Sequence, residues 1–374
     1  MKNNAKNIAC EVLYKPHEAR FNEKIRMFQG CPTLAVTRGG RIYLGWYSGG
    51  TKEPHMENYN LLVYSDDEGK SWSEPLIVIP SSKPLFIHAL DIQLWCDPDG
   101  KLHVSWVQNN TEPETERIPE VKEGQPLAIV DGYTFGDFEH AWWEIVCDEP
   151  DADEPKFSAP KYIDKGFLRC KPLFTRNGTW LAFNYDQNSD SYGYSISRDK
   201  GKTFEHRYGT QKLETLFDEA MAYEMLDGRI RMLARSSLGE LAESYSYDGG
   251  ESFSPAKLSG IDSPSSRFYI SRTPSGRILL ILNDDRRERK NMTLCLSEDD
   301  GLTWKHKLCI DGRTSLSYPD ADFYGDRIYL AYDRERTGSG EILFARITEE
   351  DIINGNLPEI RVVSKKHINK GLNV

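Results

Sequence analysis

One eight-residue pattern occurs four times in this chain. It reads Ser, any residue, Asp, any residue, Gly, any residue, Ser or Thr, and then Trp or Phe. The copies begin at Ser65, Ser197, Ser246 and Ser297, so the last two intervals are 49 and 51 residues, and the first, of 132, leaves room for one more unit and an insertion. A pattern that returns at this spacing indicates a fold built from similar supersecondary units.

A second repeated feature predicts what each unit contains. Six segments pair two apolar runs across a turn that contains glycine, as β-hairpins do. They read CPTLAVTRGGRIYLGWY, ALDIQLWCDPDGKLHVSWV, CKPLFTRNGTWLAFNY, AMAYEMLDGRIRMLAR, RFYISRTPSGRILLIL and YPDADFYGDRIYLAY. We therefore expect four-stranded antiparallel sheets over about 26–76, 86–162, 166–210, 215–258, 264–310 and 315–350. This period predicts an all-β six-bladed β-propeller, in which radial repetition leaves only short sheet edges.

The chain ends and one long unit complete the predicted architecture. The segments NIACEVLYK and PEIRVVSKK are both strand-like, and we expect one of them to complete a terminal sheet. Only TEEDIINGN suggests a short helical turn. Residues 108–137 are rich in Glu and Pro and predict a loop inserted into the second unit of one domain that spans 1–374. This loop is equally compatible with a lid and with a surface decoration.

Composition narrows the partners and cofactors. A net charge of −11 argues against nucleic acid, although a few arginines in a cleft can still bind an acidic small molecule. Neither a signal peptide nor an apolar run of about 20 residues is visible, so we expect a cytoplasmic protein without a membrane partner. The seven cysteines form no CxxC pair and most lie in apolar runs, so we expect reduced core residues and no metal or other cofactor. Oligomeric state is left open.

The eight-residue pattern resembles the Asp-box of the sialidase superfamily, and the resemblance extends over essentially the whole chain. It implies that each box forms the turn between the third and fourth strands of a blade, on the face away from the active site. The residue types suit that role, since Asp and Ser bind turn backbone, Gly permits an unusual φ and the aromatic ring packs inward. We therefore expect Asp67, Asp199, Asp248 and Asp299 to be structural.

The resemblance also implies a reaction and the residues that perform it. It implies a retaining exo-glycoside hydrolase that acts on a terminal, acidic sugar through a tyrosine nucleophile. Tyr318, in SLSYPDADFYGDRIYLAYD, matches the segment with that tyrosine, and Glu219, in FDEAMAYEMLDGRIRMLAR, matches the glutamate that takes its proton. A tyrosine with a pKa near 10 needs such a base beside it.

Of the arginines that bind the substrate carboxylate in sialidases, two have a counterpart in this sequence and a third does not. Arg235 matches one of them and Arg289 another, although two nearby arginines compete with Arg289. The planar guanidinium group suits bidentate binding of a carboxylate. The Arg-Ile-Pro that opens the first blade of sialidases is absent, and Gly30 stands at the position of its arginine. Arg26 and Gln29 are the nearest substitutes, and the substitution leaves the identity of the sugar open.

The general acid is less clearly matched. Sialidases carry an aspartate in the loop before the first Asp-box, where this chain reads GGTKEPHMENYNLLVYS. Glu57 lies near the expected place, with Glu53 and His55 as rivals. A carboxylic acid there would protonate the leaving oxygen and then activate water. Asp91, in HALDIQ, is a second acidic candidate, with His88 beside it.

Three further residues are expected near the substrate. Arg267 opens the inner strand of the fifth unit, and Lys171 is its analogue in the third. Asp320 follows Tyr318 by two residues, which places both side chains on the same side of a regular strand. Asp320 would bind a sugar hydroxyl or replace the tyrosine as the reacting group.

Three rival functions share the predicted fold, because a fold alone does not determine function. The first is a glycosidase for a uronic or neutral sugar. The second is a polysaccharide lyase with His88 or His55 as its base. The third is a propeller that binds glycans without catalysis. In every case the expected partner is a carbohydrate.

Overall fold

The computed structural model describes residues 4–113, 128–135 and 140–366 as an all-β fold. Its helices are short: α1 (Asn4–Asn7) and α2 (Glu349–Asn354), with single 3-10 turns at Ala19–Phe21 and Glu23–Ile25. The predicted turn in TEEDIINGN is thus confirmed as α2, which begins with a capping box between Thr348 and Asp351. None of these helices is long and apolar enough to cross a membrane.

The first part of the chain forms two large antiparallel sheets and one small sheet. The strands of the first large sheet are β1 (Leu13–Tyr14), β2 (Phe28–Val36), β3 (Ile42–Gly49), β4 (Tyr59–Ser65) and β5 (Ile77–Pro80). Next come β6 (Ile87–Cys96) and β7 (Leu102–Asn110), the small sheet of β8 (Glu112–Pro113), β9 (Ala128–Val130) and β10 (Tyr133–Phe135), and then β11 (His140–Cys147) and β12 (Lys161–Lys165). The second large sheet has the order β12-β11-β7-β6.

Four further antiparallel sheets follow. The third contains β14 (Leu173–Phe174), β15 (Trp180–Ala182), β17 (Ser191–Ser197) and β18 (Glu205–Gln211), beside a separate pair of β13 (Phe167–Leu168) and β16 (Asn184–Tyr185). The fourth is β19 (Ala220–Glu224), β20 (Ile230–Ala234), β21 (Glu240–Ser246) and β22 (Lys257–Asp262). The fifth is β23 (Tyr269–Arg272), β24 (Ile278–Asn283), β25 (Lys290–Ser297) and β26 (His306–Thr314), and the sixth is β27 (Leu316–Tyr324), β28 (Arg327–Arg334), β29 (Glu341–Thr348) and β30 (Ile360–Ser364).

The observed sheets follow the six predicted units, with two extensions at the chain ends. β30, in PEIRVVSKK, is the fourth strand of the last sheet, while β1 adds a short fifth strand to the first. The predicted insertion at 108–137 begins with the end of β7 and contains β8 to β10, while its residues 114–127 and 136–137 lie outside the described residues.

Contacts join each large sheet to the next and the sixth to the first. β2 lies against β6, β12 against β18, β14 against β19, β19 against β23, and β23 against β27, while β2 also packs on β27 and β28. The sheets are therefore covered on both faces, which explains why β24 has every residue buried, with Leu279 and Leu280 both inaccessible on its two faces. Complete burial of such a side chain contributes about 1.5–3 kcal/mol.

The four repeated boxes have the structural role that the sequence predicts. In the first box, Ser65 Oγ donates to Asp67 Oδ1 at 2.8 Å, and Asp67 accepts from the Ser71 backbone N–H at 2.9 Å and from its hydroxyl at 2.6 Å. The same hydroxyl and carboxylate contacts recur in the other three copies. Each box follows the third strand of its sheet, and Ser246 pairs with Ile230 at the start of β20, the opposite end of that strand from Arg235.

Candidate active site

A cavity of about 320 Å³ lies where the inner strands begin and the second strands of the sheets end. Besides Glu53, the predicted rival of Glu57, its lining contains four predicted residues, His88, Arg235, Arg289 and Tyr318. These side chains come from the second, fourth, fifth and sixth sheets, so residues far apart in sequence meet at one point. The cavity is at the end of the sheets away from the boxes, as the fourth sheet shows, because Arg235 follows directly after β20.

The first strands of three sheets share a local distortion, and in one of them it lies at Tyr318 in the cavity wall. Tyr318, Asp91 and Cys31 all have positive φ, of 55°, 51° and 56°. Each lies where the pairing of its strand shifts register, in β27, β6 and β2. A bulge of this kind re-aims a side chain, and such backbone strain is concentrated at functional sites.

Tyr318, Glu219 and Arg235 form a closed hydrogen-bonded group. The Tyr318 hydroxyl donates to Glu219 Oε1 at 2.6 Å. Arg235 Nη1 donates to Glu219 Oε2 at 2.9 Å and lies 3.4 Å from the Tyr318 oxygen. Glu219 immediately precedes β19 and is buried, as the sequence predicts for a charged residue with a partner.

The pKa shifts of Glu219 and Tyr318 determine the resting charge states of this group. Burial would raise the pKa of Glu219, but Arg235 and Arg169 outweigh it and hold the pKa at about 2. Burial raises the pKa of Tyr318 to about 12, against the nearby arginines. At neutral pH an ionised carboxylate therefore accepts a hydrogen bond from a neutral phenol.

Two arginines of the cavity were not predicted. Arg169, just before β14, pairs with Asp91 and lies 3.3 Å from Glu219 Oε1. Arg336 follows β28 and lies 4.1 Å from the centre of the Tyr318 ring. The sequence contained a signal for both, since each stands where an inner strand begins or a second strand ends.

Arg289 lies beside these groups without an ion-pair partner among the described residues. Its guanidinium donates to the Ser265 carbonyl at 2.8 Å and lies 3.3 Å from Ser317 Oγ. The pKa of Arg289 is lowered, chiefly by burial, with Arg336 and Arg235 adding repulsion. This concentration of positive charge favours an anionic ligand.

Of the candidate acids, the structure brings Glu53 to the cavity and leaves Glu57 outside it. Glu57 pairs with Lys83 on the surface and lines a separate cavity of about 310 Å³ with His55. Glu53 lines the cavity that holds Tyr318. Asp91 is fully buried beside Arg169, and burial, partly opposed by Arg169, raises its pKa to about 7.

The opposite wall of the cavity is neutral and partly aromatic. His88 is buried, with its Nε2 2.5 Å from the Tyr47 hydroxyl and its Nδ1 3.2 Å from Asn109 Oδ1. Burial lowers the pKa of His88 to about 3 and that of His140 to about 4, so both imidazoles are neutral. Together with Phe135 they provide hydrogen-bonding atoms between apolar rings, which suits the hydroxyls and ring carbons of a sugar.

Arg26 and Gln29, the predicted substitutes for the missing arginine, do not line this cavity. Arg26 precedes β2, and its guanidinium donates to the Phe21 carbonyl at 3.1 Å and lies 3.3 Å from the Tyr59 hydroxyl. Gln29 points into the space between the first and last sheets, where it donates to the Gly340 carbonyl at 3.2 Å and accepts from Trp46 at 2.9 Å. Its contacts stabilise the neighbouring loop.

Three other predicted residues lie behind or beyond the cavity wall. Arg267 lies under Tyr318, where it donates to the Arg169 carbonyl at 2.8 Å. The bulge in β27 turns Asp320 away from Tyr318, and Asp320 instead accepts from Thr33 Oγ1 at 2.7 Å. Lys171 donates to the Ala321 carbonyl at 2.6 Å and lines another cavity.

One group of potential metal ligands occurs among the described residues. Ligand atoms of Cys31, Glu53 and Asp91 lie within 4.8 Å of one another. Arg169 already pairs with Asp91, and Arg336 lies 3.5 Å from Glu53 Oε2. Two guanidinium groups beside three ligands disfavour a cation, so we assign no metal to this group.

Comparison with known proteins agrees with the repeats and the fold. Residues 149–329 match the model of a BNR repeat-like domain, and residues 63–74 match a BNR/Asp-box repeat. No curated protein matches the sequence. One similar structure is a protein of unknown function from Dyadobacter fermentans DSM 18053, with 21% identity and a TM-score of 0.64 over 88% of this chain and 95% of that one.

Two sialidase structures are similar over nearly the whole chain. The NanB sialidase of Streptococcus pneumoniae has 16% identity and a TM-score of 0.65, over 92% of this chain and 71% of that one. The intramolecular trans-sialidase of Ruminococcus gnavus has 15% identity and a TM-score of 0.65, over 93% and 99%. At this identity the likeness shows the fold. The family models match the repeats in the two segments 63–74 and 149–329 of this chain.

Proposed function

We propose that this protein is a retaining exo-glycoside hydrolase that acts on a terminal, acidic sugar. The observation that carries the proposal is the 2.6 Å hydrogen bond from Tyr318 to the ionised Glu219 in the wall of a cavity with four arginines. A tyrosine so placed has its base already in contact. The known sialidases among the similar structures support the same reaction class.

The proposed scaffold is a six-bladed β-propeller in one domain. Its support is the set of contacts that joins each sheet to the next and the sixth to the first. In that arrangement the cavity opens at one end of the central axis, where the inner strands begin.

The proposed reaction has two steps at the anomeric carbon. Tyr318 Oη attacks this carbon while its proton passes to Glu219, and the bond to the leaving oxygen breaks as that oxygen receives a proton. Water then attacks the glycosyl-tyrosine, and the tyrosine leaves with the proton returned from Glu219. Arg235 stabilises negative charge on both partners, since it lies 2.9 Å from the Glu219 carboxylate and 3.4 Å from the phenol oxygen.

Glu53 is the proposed acid and base for the leaving group and the water. It lines the cavity, whereas Glu57 faces a different one and Asp91 is shielded by Arg169. We expect Glu53→Gln to lower kcat at least 100-fold, the usual range for loss of general acid-base catalysis. A substrate with a highly activated leaving group should be less affected, since it needs no protonation. Glu57→Gln is the matched control, and equal losses in both variants would exclude this assignment.

The experiment that tests the whole proposal is a screen of aryl glycosides with acidic and neutral sugars. We expect release from a sialic acid glycoside, and its loss in Tyr318→Phe. The control is Tyr43→Phe, which removes a buried hydroxyl that donates to the Pro150 carbonyl at 2.6 Å. Binding without turnover over the whole panel would reject an enzymatic function.

A polysaccharide lyase is the alternative that would use the same cavity. Its base would be His88, which would remove the proton beside a uronate carboxylate that the arginines bind. The low pKa of His88, about 3, and the contacts of its two ring nitrogens with Tyr47 and Asn109 favour the hydrolase over this alternative. Cleavage of a uronide polymer with formation of an unsaturated, ultraviolet-absorbing product, lost in His88→Ala and kept in Tyr318→Phe, would replace the hydrolase proposal.

A further inference from the structure

The space beside Gly30 is occupied by a side chain from the opposite end of the chain. A Cβ atom at Gly30 would lie 2.8 Å from both Cγ and Cδ of Arg336. Gly30 does not have positive φ, so a larger residue is excluded by Arg336 and not by backbone conformation. The side chain of Arg336, which follows the second strand of the sixth sheet, thus occupies the space that a side chain at position 30 of the first sheet would need.

Arg336 is held firmly in that space. Its Nε donates to Asp333 Oδ2 at 3.0 Å, and Asp333 is itself fixed by the backbone N–H of Cys31 at 2.7 Å. The backbone N–H of Gln29 donates to the Arg336 carbonyl at 3.3 Å, and the Gln29 side chain donates to Gly340 at the end of the same loop. The loop from β28 to β29 is therefore anchored on β2 at both ends.

One buried nitrogen of the Arg336 guanidinium forms no hydrogen bond within the described structure. Nη2 is buried and has no hydrogen-bond partner among the described residues, while Nη1 lies 3.5 Å from Glu53 Oε2. Arg336 lines the cavity, and Nη1 forms no hydrogen bond among the described residues, so Nη1 is the N–H group that an acceptor of a ligand would meet.

We propose that Arg336 completes the site for the ligand's carboxylate together with Arg235 and Arg289, in place of the arginine missing at Gly30. This inference rests on the proposed function, since it assumes an acidic sugar. The three guanidinium groups surround Tyr318: Arg336 and Arg289 lie 4.1 and 5.7 Å from its ring centre, and Arg235 is 3.4 Å from its oxygen. Arg169 also lines the cavity, where it pairs with Asp91 and lies 3.3 Å from Glu219 Oε1.

A direct test compares binding of an acidic sugar with binding of its methyl ester. The probes are N-acetylneuraminic acid and glucuronic acid, each beside its ester, measured by titration calorimetry. We expect the wild type to prefer one acid over its ester. Arg336→Ala should weaken binding of that acid about 10- to 100-fold, the range for a hydrogen-bonded charged pair, with little effect on the ester. Arg336→Lys should retain part of the preference.

Gly30→Ala provides an independent route to the same outcome. Its new methyl group should displace Arg336 and reproduce much of the loss, and the double variant should be no weaker than Arg336→Ala alone, because both changes remove one interaction. Arg334→Ala is the matched control, since Arg334 pairs with Glu335 and Glu341 outside the cavity. Thermal unfolding of each variant separates lost binding from lost folding.

The possible failures distinguish this inference from the function on which it rests. If Arg336→Ala and Gly30→Ala keep the preference for the acid while Arg235→Ala loses it, the site binds a carboxylate without Arg336 and the inference is wrong. If the wild type does not prefer either acid over its ester, both the inference and the acidic-sugar function are wrong.

Discussion

Replacing Glu219 by glutamine removes one negative charge and leaves the shape of the side chain nearly unchanged. In the wild type this carboxylate is fully buried, accepts from Tyr318 at 2.6 Å and pairs with Arg235 at 2.9 Å. Burial opposes ionisation, yet the arginines lower the pKa from an ordinary 4.5 to about 2. The folded state therefore favours the ionised form strongly.

The pKa shift of Glu219 gives the size and the pH dependence of the expected loss of stability. A shift of this size corresponds to about 3 kcal/mol of the free energy of unfolding. Because the folded pKa is depressed, the contribution is fully present above pH 4.5 and is lost as the pH falls through 2. Glu219→Gln should therefore be less stable than the wild type by about 3 kcal/mol at pH 7, and the difference should shrink below pH 4.5.

Urea unfolding at several pH values measures this difference, and turnover of the aryl glycoside measures the loss of the base. Glu243→Gln is the matched control, because Glu243 is also buried and pairs with Arg231 at 2.7 Å, far from the cavity. It should lower stability and leave catalysis intact. Equal stability of Glu219→Gln and wild type at pH 7, or a difference that does not change with pH, would refute the electrostatic argument.

Two further predictions concern the scaffold. Asp248→Ala removes the acceptor of the Ser252 hydroxyl at 2.5 Å, so it should lower the melting temperature by a few degrees without changing kcat; a selective loss of kcat would contradict a structural box. Burial would lower the pKa of His103, but Asp97 and Glu144 raise it from 6.5 to about 9. The contribution of the charged imidazole to the free energy of unfolding is therefore complete below pH 6.5 and is lost as the pH rises through 9. Urea unfolding of His103→Gln should therefore show its largest deficit, about 3 kcal/mol, near pH 6 and the smallest above pH 9, and a constant deficit would contradict the pairing.

Local sequence patterns were sufficient to predict most of the fold. The boxes and hairpins located the six large sheets because each is a local arrangement of turn residues and apolar runs. The segment NIACEVLYK was predicted to be strand-like, but its addition to the first sheet as a fifth strand was not, since β1 depends on a distant pairing with β5. Placement of the boxes then predicted the end of the sheets where Tyr318, Glu219 and Arg235 meet.

The remainder of the site depended on geometry that sequence spacing does not contain. Asp320 was placed beside Tyr318 by the alternation of a regular strand, and the bulge in β27 breaks that alternation. Glu57 and Glu53 lie in one loop, and only the loop conformation decides which of them reaches the cavity. The position of Arg336 after the second strand of the sixth sheet was a signal in the sequence, but sequence spacing does not show that its side chain fills the space beside Gly30.

The most direct test of the central claim is detection of a covalent glycosyl-enzyme at Tyr318. A fluorinated sialic acid glycoside that slows the second step would be incubated with the protein, which is then quenched, digested and examined by mass spectrometry. Our account predicts one added sugar on the peptide that contains Tyr318, no adduct in Tyr318→Phe, and a first product that retains the anomeric configuration. Turnover with inverted configuration, or an adduct on another residue, would contradict it.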